Sequence, residues 1–350
     1  MGHQAMPLVV VLKGLSSNKQ EIDNKDKKSK KGTIRYKDIS YVPIAGRVAV
    51  LKPIIDKVSI VYKVGGSDPD LMPGLIQGLL LDAEDKADFK SAGHVQTGKV
   101  TYKASVNLVV PPNGEEVLIQ AGPKKSTAHD LRLEFNPARL GPAGMAFLKD
   151  KLEGVLLGAL SFSHILATGR VTRLDIAVDL VGIRIDALDI QYKGEGKSHW
   201  YFSGSGQSET GYLGIKQSDK NAPWTAYNKR KQLKETVGGP EQLYGGLSHT
   251  RIEFHAKPNK PAAGLKLLSN PFTQVSVAYP TVPKGIKPHS WQFFLDACQR
   301  RGHQNALALV PEGPTKAKYL KAMKTAHDTF WRPDKIWSSW KEVLSKSALI

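Results

Sequence analysis

A chain of 350 residues that is 41% apolar and 8% aromatic has the material for a hydrophobic core and falls outside the disordered class. Fifty Lys and Arg against 32 Asp and Glu leave a net charge of +18. Such a field favours polyanions, nucleic acid above all, with a ribosomal-type or membrane-surface role as the bland alternatives. No run approaches the roughly 20 apolar residues of a transmembrane helix, and the run Leu8–Leu12 is short for a secretory leader. A lone cysteine, Cys298, excludes an internal disulfide framework and a cysteine-rich zinc site. A cytoplasmic protein with no membrane partner is expected.

From the amino terminus, residues 1–50 read as a basic arm. Ser16 to Lys37 is polar and carries Lys25, Lys27, Lys28, Lys30 and Lys31, either a solvated tail or a segment that touches DNA. Asp56–Val64 alternates as a strand, with Val58, Ile60, Tyr62 and Val64 on one face. Apolar residues at three- and four-residue spacing predict helices over Gly74–Asp88 and Ala143–Leu160. Strands are expected at Lys99–Val110 and Glu116–Gln120, on either side of the Pro111-Pro112-Asn113-Gly114 turn. A strand cluster then runs from Val171 to Phe254, broken by glycine-rich turns at Gly204–Gly211 and Gly238–Gly246.

From Ser290 the period becomes helical. Ser290 as N-cap and Gly302 as C-cap frame Trp291–Arg301, and Thr315–Thr329 and Pro333–Ser345 follow as helices. Trp291, Phe293, Phe294, Trp331, Trp337 and Trp340 sit there at the spacing of a core rather than of a base-stacking platform. The expected fold class is α+β: a mixed, mainly antiparallel sheet with packed helices over residues 51–285, then a helical C-terminal region over 286–350. Neither a Walker motif nor a dinucleotide fingerprint is present, which weighs against an ATPase or a dehydrogenase.

One local pattern occurs three times: Arg132-Leu133-Glu134, Arg173-Leu174-Asp175 and Arg251-Ile252-Glu253. Each lies in a strand-like run, so the arginine and the carboxylate share one face and the aliphatic residues take the other. Asp179 shares the face of Asp175, and His255 that of Glu253. Two arrangements are open. Each acid pairs with its own arginine, or the strands adjoin and the acids converge on a hard divalent ion such as Mg²⁺ or Mn²⁺.

Gly211–Gln232 supplies a candidate nucleophile. Tyr212–Lys216 reads as a strand, Ser218–Pro223 as a turn and Trp224–Lys229 as the returning strand, with Thr225, Tyr227 and Lys229 on one side. Tyr227 is followed by Lys229, Arg230 and Lys231, cations expected to lower a hydroxyl pKa that is ordinarily near 10. Among eleven tyrosines, Tyr192, Tyr201 and Tyr212 compete with it on residue chemistry alone.

In this order, DKVSIVY (56–62), LRLEFNPARL (131–140), TRLDIAVDL (172–180), Gly211–Gln232, HTRIEFHAK (249–257) and the aromatic tail from Trp291 to Trp340 resemble the rolling-circle replication initiators. The likeness is to the trans-acting Rep type of small plasmids and, more closely, to the replication initiation factors of filamentous phages. It implies a site-specific enzyme that nicks one DNA strand at an origin and rejoins it through a 5′-phosphotyrosine. Tyr227, followed by Asn228 and Lys229 and preceded by Gly214 and Ser218, falls at the family's nucleophile. Lys229 and Arg230 would stabilise developing charge. Asp175 and Glu253, with Glu134, Asp179 and Asp56 as further candidates, would hold the divalent metal. The implied partners are origin DNA, single-stranded or melted, a host helicase and a second copy of the chain. A conjugative relaxase of the same chemistry, a metal-dependent nuclease using water and a non-catalytic basic DNA-binding protein are the alternatives. The arm and the segment Asp68–Gln96 fall outside the family pattern, and no histidine–hydrophobe–histidine metal motif is present.

Overall fold

Alternation between apolar and polar residues along successive strands decides the architecture. The computed structural model describes residues 49–350 apart from 51, 65–70, 93–101, 113, 125–128, 156–160, 195, 205, 217–221 and 238–246. The lysine-rich arm, Ser218 and the Gly238–Gly246 turn lie outside the described residues.

The chain runs β1 (Ala49–Val50), β2 (Ile54–Tyr62), α1 (Leu71–Asp85), β3 (Phe89–Ser91), β4 (Tyr102–Val110), β5 (Glu115–Pro123) and β6 (Leu131–Phe135). Helices α2 (Pro137–Val155) and α3 (Phe162–Thr168) lead into β7 (Arg170–Val181) and β8 (Asp189–Tyr192). There follow β9 (Lys197–Phe202), β10 (Ser208–Ile215), β11 (Trp224–Asn228), α4 (Lys229–Val237), β12 (His249–Ala256) and β13 (Val275–Ala278). The chain ends in α5 (Pro288–Arg301), α6 (His303–Ala308), α7 (Pro314–Phe330), α8 (Pro333–Trp337) and α9 (Trp340–Lys346).

The fold is α+β. Among the described residues the main sheet has 11 strands, ordered β3-β4-β5-β6-β2-β7-β12-β11-β10-β9, with β1 also paired to β7. Every pairing in it is antiparallel. Strands β8 and β13 form a separate pair. Leu133, Ile60, Ile176 and Ile252 line one face of the central strands and are fully buried. Leu75 and Leu79 of α1, Leu148 and Leu152 of α2 and Ile165 of α3 close over that face. Each such side chain contributes roughly 1.5–3 kcal/mol of transfer free energy. The opposite face is polar.

The C-terminal helices divide their loyalty. Trp331, Ile336, Trp340, Val343 and Leu344 join the core of the sheet, whereas Trp291, Phe294, Leu295, Cys298, Tyr319 and Met323 form a smaller core of their own. Trp291, Phe294, Trp331 and Trp340 are thus core and Trp337 packs against it, as their spacing predicts, whereas Phe293 is exposed. Phe272 joins the C-terminal helices to the sheet: it is fully buried and its ring meets Trp224 of β11 at 5.7 Å and Trp331 and Trp337 at 5.9 and 6.0 Å.

Several boundaries differ from the sequence expectation. Pro288 starts α5 with Lys287 as its N-cap, so Ser290 lies inside the first turn, while Gly302 (φ 77°) is the C-cap expected. Helix α2 begins at Pro137 and kinks at Gly141-Pro142, where Gly141 takes φ 63°. Pro333–Ser345 is two helices, not one, interrupted at Ser338–Ser339. Lys229 opens α4 instead of ending β11. No helix among the described residues is long and apolar enough to cross a membrane.

Phe272→Ala is expected to lower stability by about 3–5 kcal/mol, read from urea unfolding, and a loss under about 1 kcal/mol would contradict this account of the C-terminal helices.

Candidate active site

The polar face becomes a site because the three Arg–acid strands are close neighbours. Strand β7 lies between β2 and β12, β6 flanks β2, and β11 flanks β12. Arg251 is opposite both Asp179 and Tyr227, His255 opposite Asp175, and Glu253 opposite Thr225. Cross-strand partners share a face, so these side chains stand together. Asp175, Thr225, Tyr227, Glu253 and His255 form the floor of a cleft of about 680 Å³ walled by Lys57, Glu134, Arg139, Tyr212, Lys229 and Lys231 among others, while Arg251 and Asp179 are buried.

Asp56 reaches this face through a register shift between Ile55 and Lys57. Strict alternation would put Asp56 on the apolar side with Val58. The bulge places Asp56 and Lys57 both on the polar side, while Ile55 and Val58 remain buried.

Two of the triplets pair within themselves. Arg132 Nη2 donates to Glu134 Oε2 at 2.5 Å, and Lys57 Nζ to Glu134 Oε1 at 3.1 Å. Arg173 donates to Asp175 through Nε and Nη2, at 3.0 and 2.6 Å to Oδ2. The third does not. Arg251 donates to Asp179 through Nε (2.7 Å) and Nη2 (2.9 Å), and through Nη1 to Asp56. His249 Nε2 stands 3.1 Å from the same Asp179 carboxylate.

Glu253 is therefore bonded elsewhere. Its Oε2 accepts a hydrogen bond from the Tyr227 hydroxyl at 2.9 Å, and its Oε1 lies 3.7 Å from His255 Nδ1. That nitrogen is 3.1 Å from Asp175 Oδ1, while His255 Nε2 is 2.9 Å from Thr225 Oγ1. Asp175, Glu253 and His255 can each present one ligand atom within 4.8 Å of the others. Two carboxylates and an imidazole suit a divalent ion, and the imidazole tilts the set towards Mn²⁺ over Mg²⁺.

Protonation follows from this packing. Burial pushes the Glu253 carboxyl up, and the nearby Asp56 and Asp175 carboxylates push the same way. Burial also raises the Tyr227 hydroxyl well above 10, with Glu253 and Asp56 adding to the effect against the pull of Arg251. The basic run after Tyr227 thus fails to depress it, because the hydroxyl points at carboxylates. Burial and Arg251 bring Lys229 down to about 8. Asp179 and Asp175 go the other way: burial opposes ionisation, but Arg251 and His249 outweigh it at Asp179, as His255 and Arg173 do at Asp175.

The structure brings together Tyr227, Lys229, Asp175 and Glu253. Lys229 is buried, with Nζ 5.6 Å from the centre of the Tyr227 ring and donating to Gln232 at 2.7 Å. Arg230 is exposed on α4. Glu134 and Asp179 share the face but stand outside the group of three, held by Arg132, Lys57 and Arg251. His255 takes its place in that group; the sequence carried a signal for it, since it lies two residues after Glu253 on the same strand face. Asp56 also lines the cleft, and Arg251 and His249 are buried on the same sheet face. The rival tyrosines stand outside the buried group: Tyr212 is exposed on β10 at the wall of the cleft, Tyr201 is exposed on β9, and Tyr192 is half-buried on β8.

Comparison of the chain with protein-family models and with curated proteins returned no match.

A carboxyl whose folded pKa is raised destabilises the native state as pH rises through that value, whereas a depressed one stabilises it above its ordinary value near 3.8 and loses that contribution as pH falls. Glu253→Gln is accordingly expected to leave unfolding free energy at pH 7 unchanged or higher. Asp179→Asn, which strips the buried Arg251 of its main partner, is expected to cost about 3–5 kcal/mol. Urea titrations of both variants decide the matter, and equal losses would make Glu253 a structural ion like Asp179.

Proposed function

We propose that this protein is a DNA nicking-closing strand transferase that starts rolling-circle replication, with Tyr227 as the nucleophile. The observation that carries the reading is the Tyr227–Glu253 hydrogen bond beside the Asp175–Glu253–His255 group, at the floor of an open cleft in a chain of net charge +18. The resemblance of the strand motifs to the rolling-circle initiators supports the same assignment.

Tyr227 is neutral and buried, so it needs a base at the moment of attack. Glu253 Oε2, which already accepts the hydrogen bond of the hydroxyl, is placed to take its proton. The phenolate oxygen forms a bond to phosphorus as the bond to the 3′-oxygen breaks, leaving a 5′-phosphotyrosine and a free 3′-end. Lys229, half protonated near pH 8, supplies a proton or a positive charge to the departing oxygen. The phosphodiester is exchanged rather than hydrolysed, so a 3′-hydroxyl reverses the step by the same route. A Mn²⁺ or Mg²⁺ ion on Asp175, Glu253 and His255 would supply polarisation of the phosphate. Origin DNA is the substrate of this reading; a host helicase and a second copy of the chain are its further partners.

The test is incubation with labelled single-stranded DNA carrying the cognate origin, with Mn²⁺ or with EDTA, followed by denaturing gel electrophoresis. A labelled protein band that needs the metal and falls by at least about 10³-fold in Tyr227→Phe is expected, in line with removal of a covalent nucleophile. Cutting without any labelled protein would replace the tyrosine by water. Tight binding with no cutting would leave a basic DNA-binding protein.

A further inference from the structure

The polar face does not stop at Tyr227. On β10, Tyr212 lies opposite Thr225 and Thr210 opposite Tyr227; on β9, His199 lies opposite Tyr212 and Tyr201 opposite Thr210. His199, Tyr201 and Tyr212 therefore stand on the face that carries Tyr227. The His199 and Tyr201 rings meet edge to face at 4.8 Å, and Tyr201 and Tyr212 at 5.7 Å. All three are exposed; Tyr201 and Tyr212 keep 54% and 38% of their surface in solvent. They are the exposed tyrosines among the described residues, and Tyr212 also walls the cleft.

The strip is held from behind. Trp200 points to the other face and lies over Gly211, where an added Cβ would meet the indole at 2.7 Å. Strand β9 is thereby seated on β10 by a side chain that the exposed rings do not use. Charge frames the strip as well. Lys197 is exposed two residues before His199, hence on the same face, and Lys231 enters the cleft at the other end, paired with Glu209.

Adjacent exposed aromatic rings next to a polar cleft need an occupant that is flat, apolar on its faces and negatively charged along its chain. Unpaired nucleobases meet that description, and stacking on aromatic side chains is how single strands are held without sequence readout. We propose that His199, Tyr201 and Tyr212 form a stacking platform for unpaired bases of a single DNA strand beside the phosphate that Tyr227 attacks. The inference rests on the strand-transfer reading and extends it: it assigns the surface that holds the strand. From β11 to β9 is two strand spacings, about 10 Å, so the bases held are the near neighbours of that phosphate.

The test is fluorescence anisotropy with a short labelled oligothymidylate in EDTA, where no cutting competes. Tyr201→Ala and Tyr212→Ala are each expected to weaken binding about tenfold and the pair about a hundredfold, while Tyr201→Phe and Tyr212→Phe bind as wild type does. A double alanine variant with wild-type affinity overturns the proposal, and so does an equal loss on duplex DNA of the same sequence. Wild-type protein gives an independent readout, since an iodouracil-substituted oligothymidylate should photo-crosslink to Tyr201 or Tyr212. Crosslinks confined to other surfaces overturn it whatever the variants do. Failure of the strand-transfer reading is seen separately, as the lack of a covalent adduct.

Discussion

Ions on a sheet face that a cleft shields from water cost several kcal/mol each unless opposite charges meet them in good geometry. On this sheet the matching is done by guanidinium groups. Arg132 answers Glu134, Arg173 answers Asp175, and the buried Arg251 spans Asp179 on β7 and Asp56 on β2. The repeated Arg–aliphatic–acid triplet would close each strand's charge on itself. The third copy breaks the repeat, because Arg251 is turned to the acids of other strands. Its own Glu253 is left with a tyrosine hydroxyl and a histidine. That exception makes a chemical site out of a matched surface.

The exception also has a direction. Asp175 and Asp179 are held ionised by their partners, whereas Glu253 is pushed towards its protonated form by burial and by carboxylates around it. Neighbouring groups with pKa values driven apart are the pattern of acid–base work, and a fold does not need it for stability. The parts are mounted rigidly. All but Lys229 lie on strands with fixed neighbours, and Lys229 starts the helix that directly follows β11. Placement on regular elements holds these side chains with a small positional error.

Much of this was legible in the residues. The two-residue period of LRLEF, TRLDIAVDL and HTRIEFHA fixes which side chains share a face, and the antiparallel α+β class follows from the same runs. Tyr227 stands out in the sequence, but its approach to Glu253 needs β11 beside β12, which a single sequence cannot state. Asp56 was harder still, because the bulge at Ile55–Lys57 reverses the alternation that the sequence displays. The partner choice of Arg251 was also invisible: a local pattern suggests pairing two residues away, and the fold offers it two carboxylates across the sheet. The basic run after Tyr227 misled for a related reason. Lys229 lies over the Tyr227 ring, but the hydroxyl itself is buried against Glu253 and near Asp56, so the cations that follow it in the chain do not set its pKa.

The proposed strand transfer depends on one oxygen atom, the Tyr227 hydroxyl. The direct measurement is mass spectrometry of the protein after reaction with origin single-stranded DNA and nuclease trimming. The account predicts a nucleotide attached through phosphorus to the peptide that contains Tyr227. A nucleotide carried by Tyr212, Tyr201 or another residue, or cut DNA beside wholly unmodified protein, would contradict it.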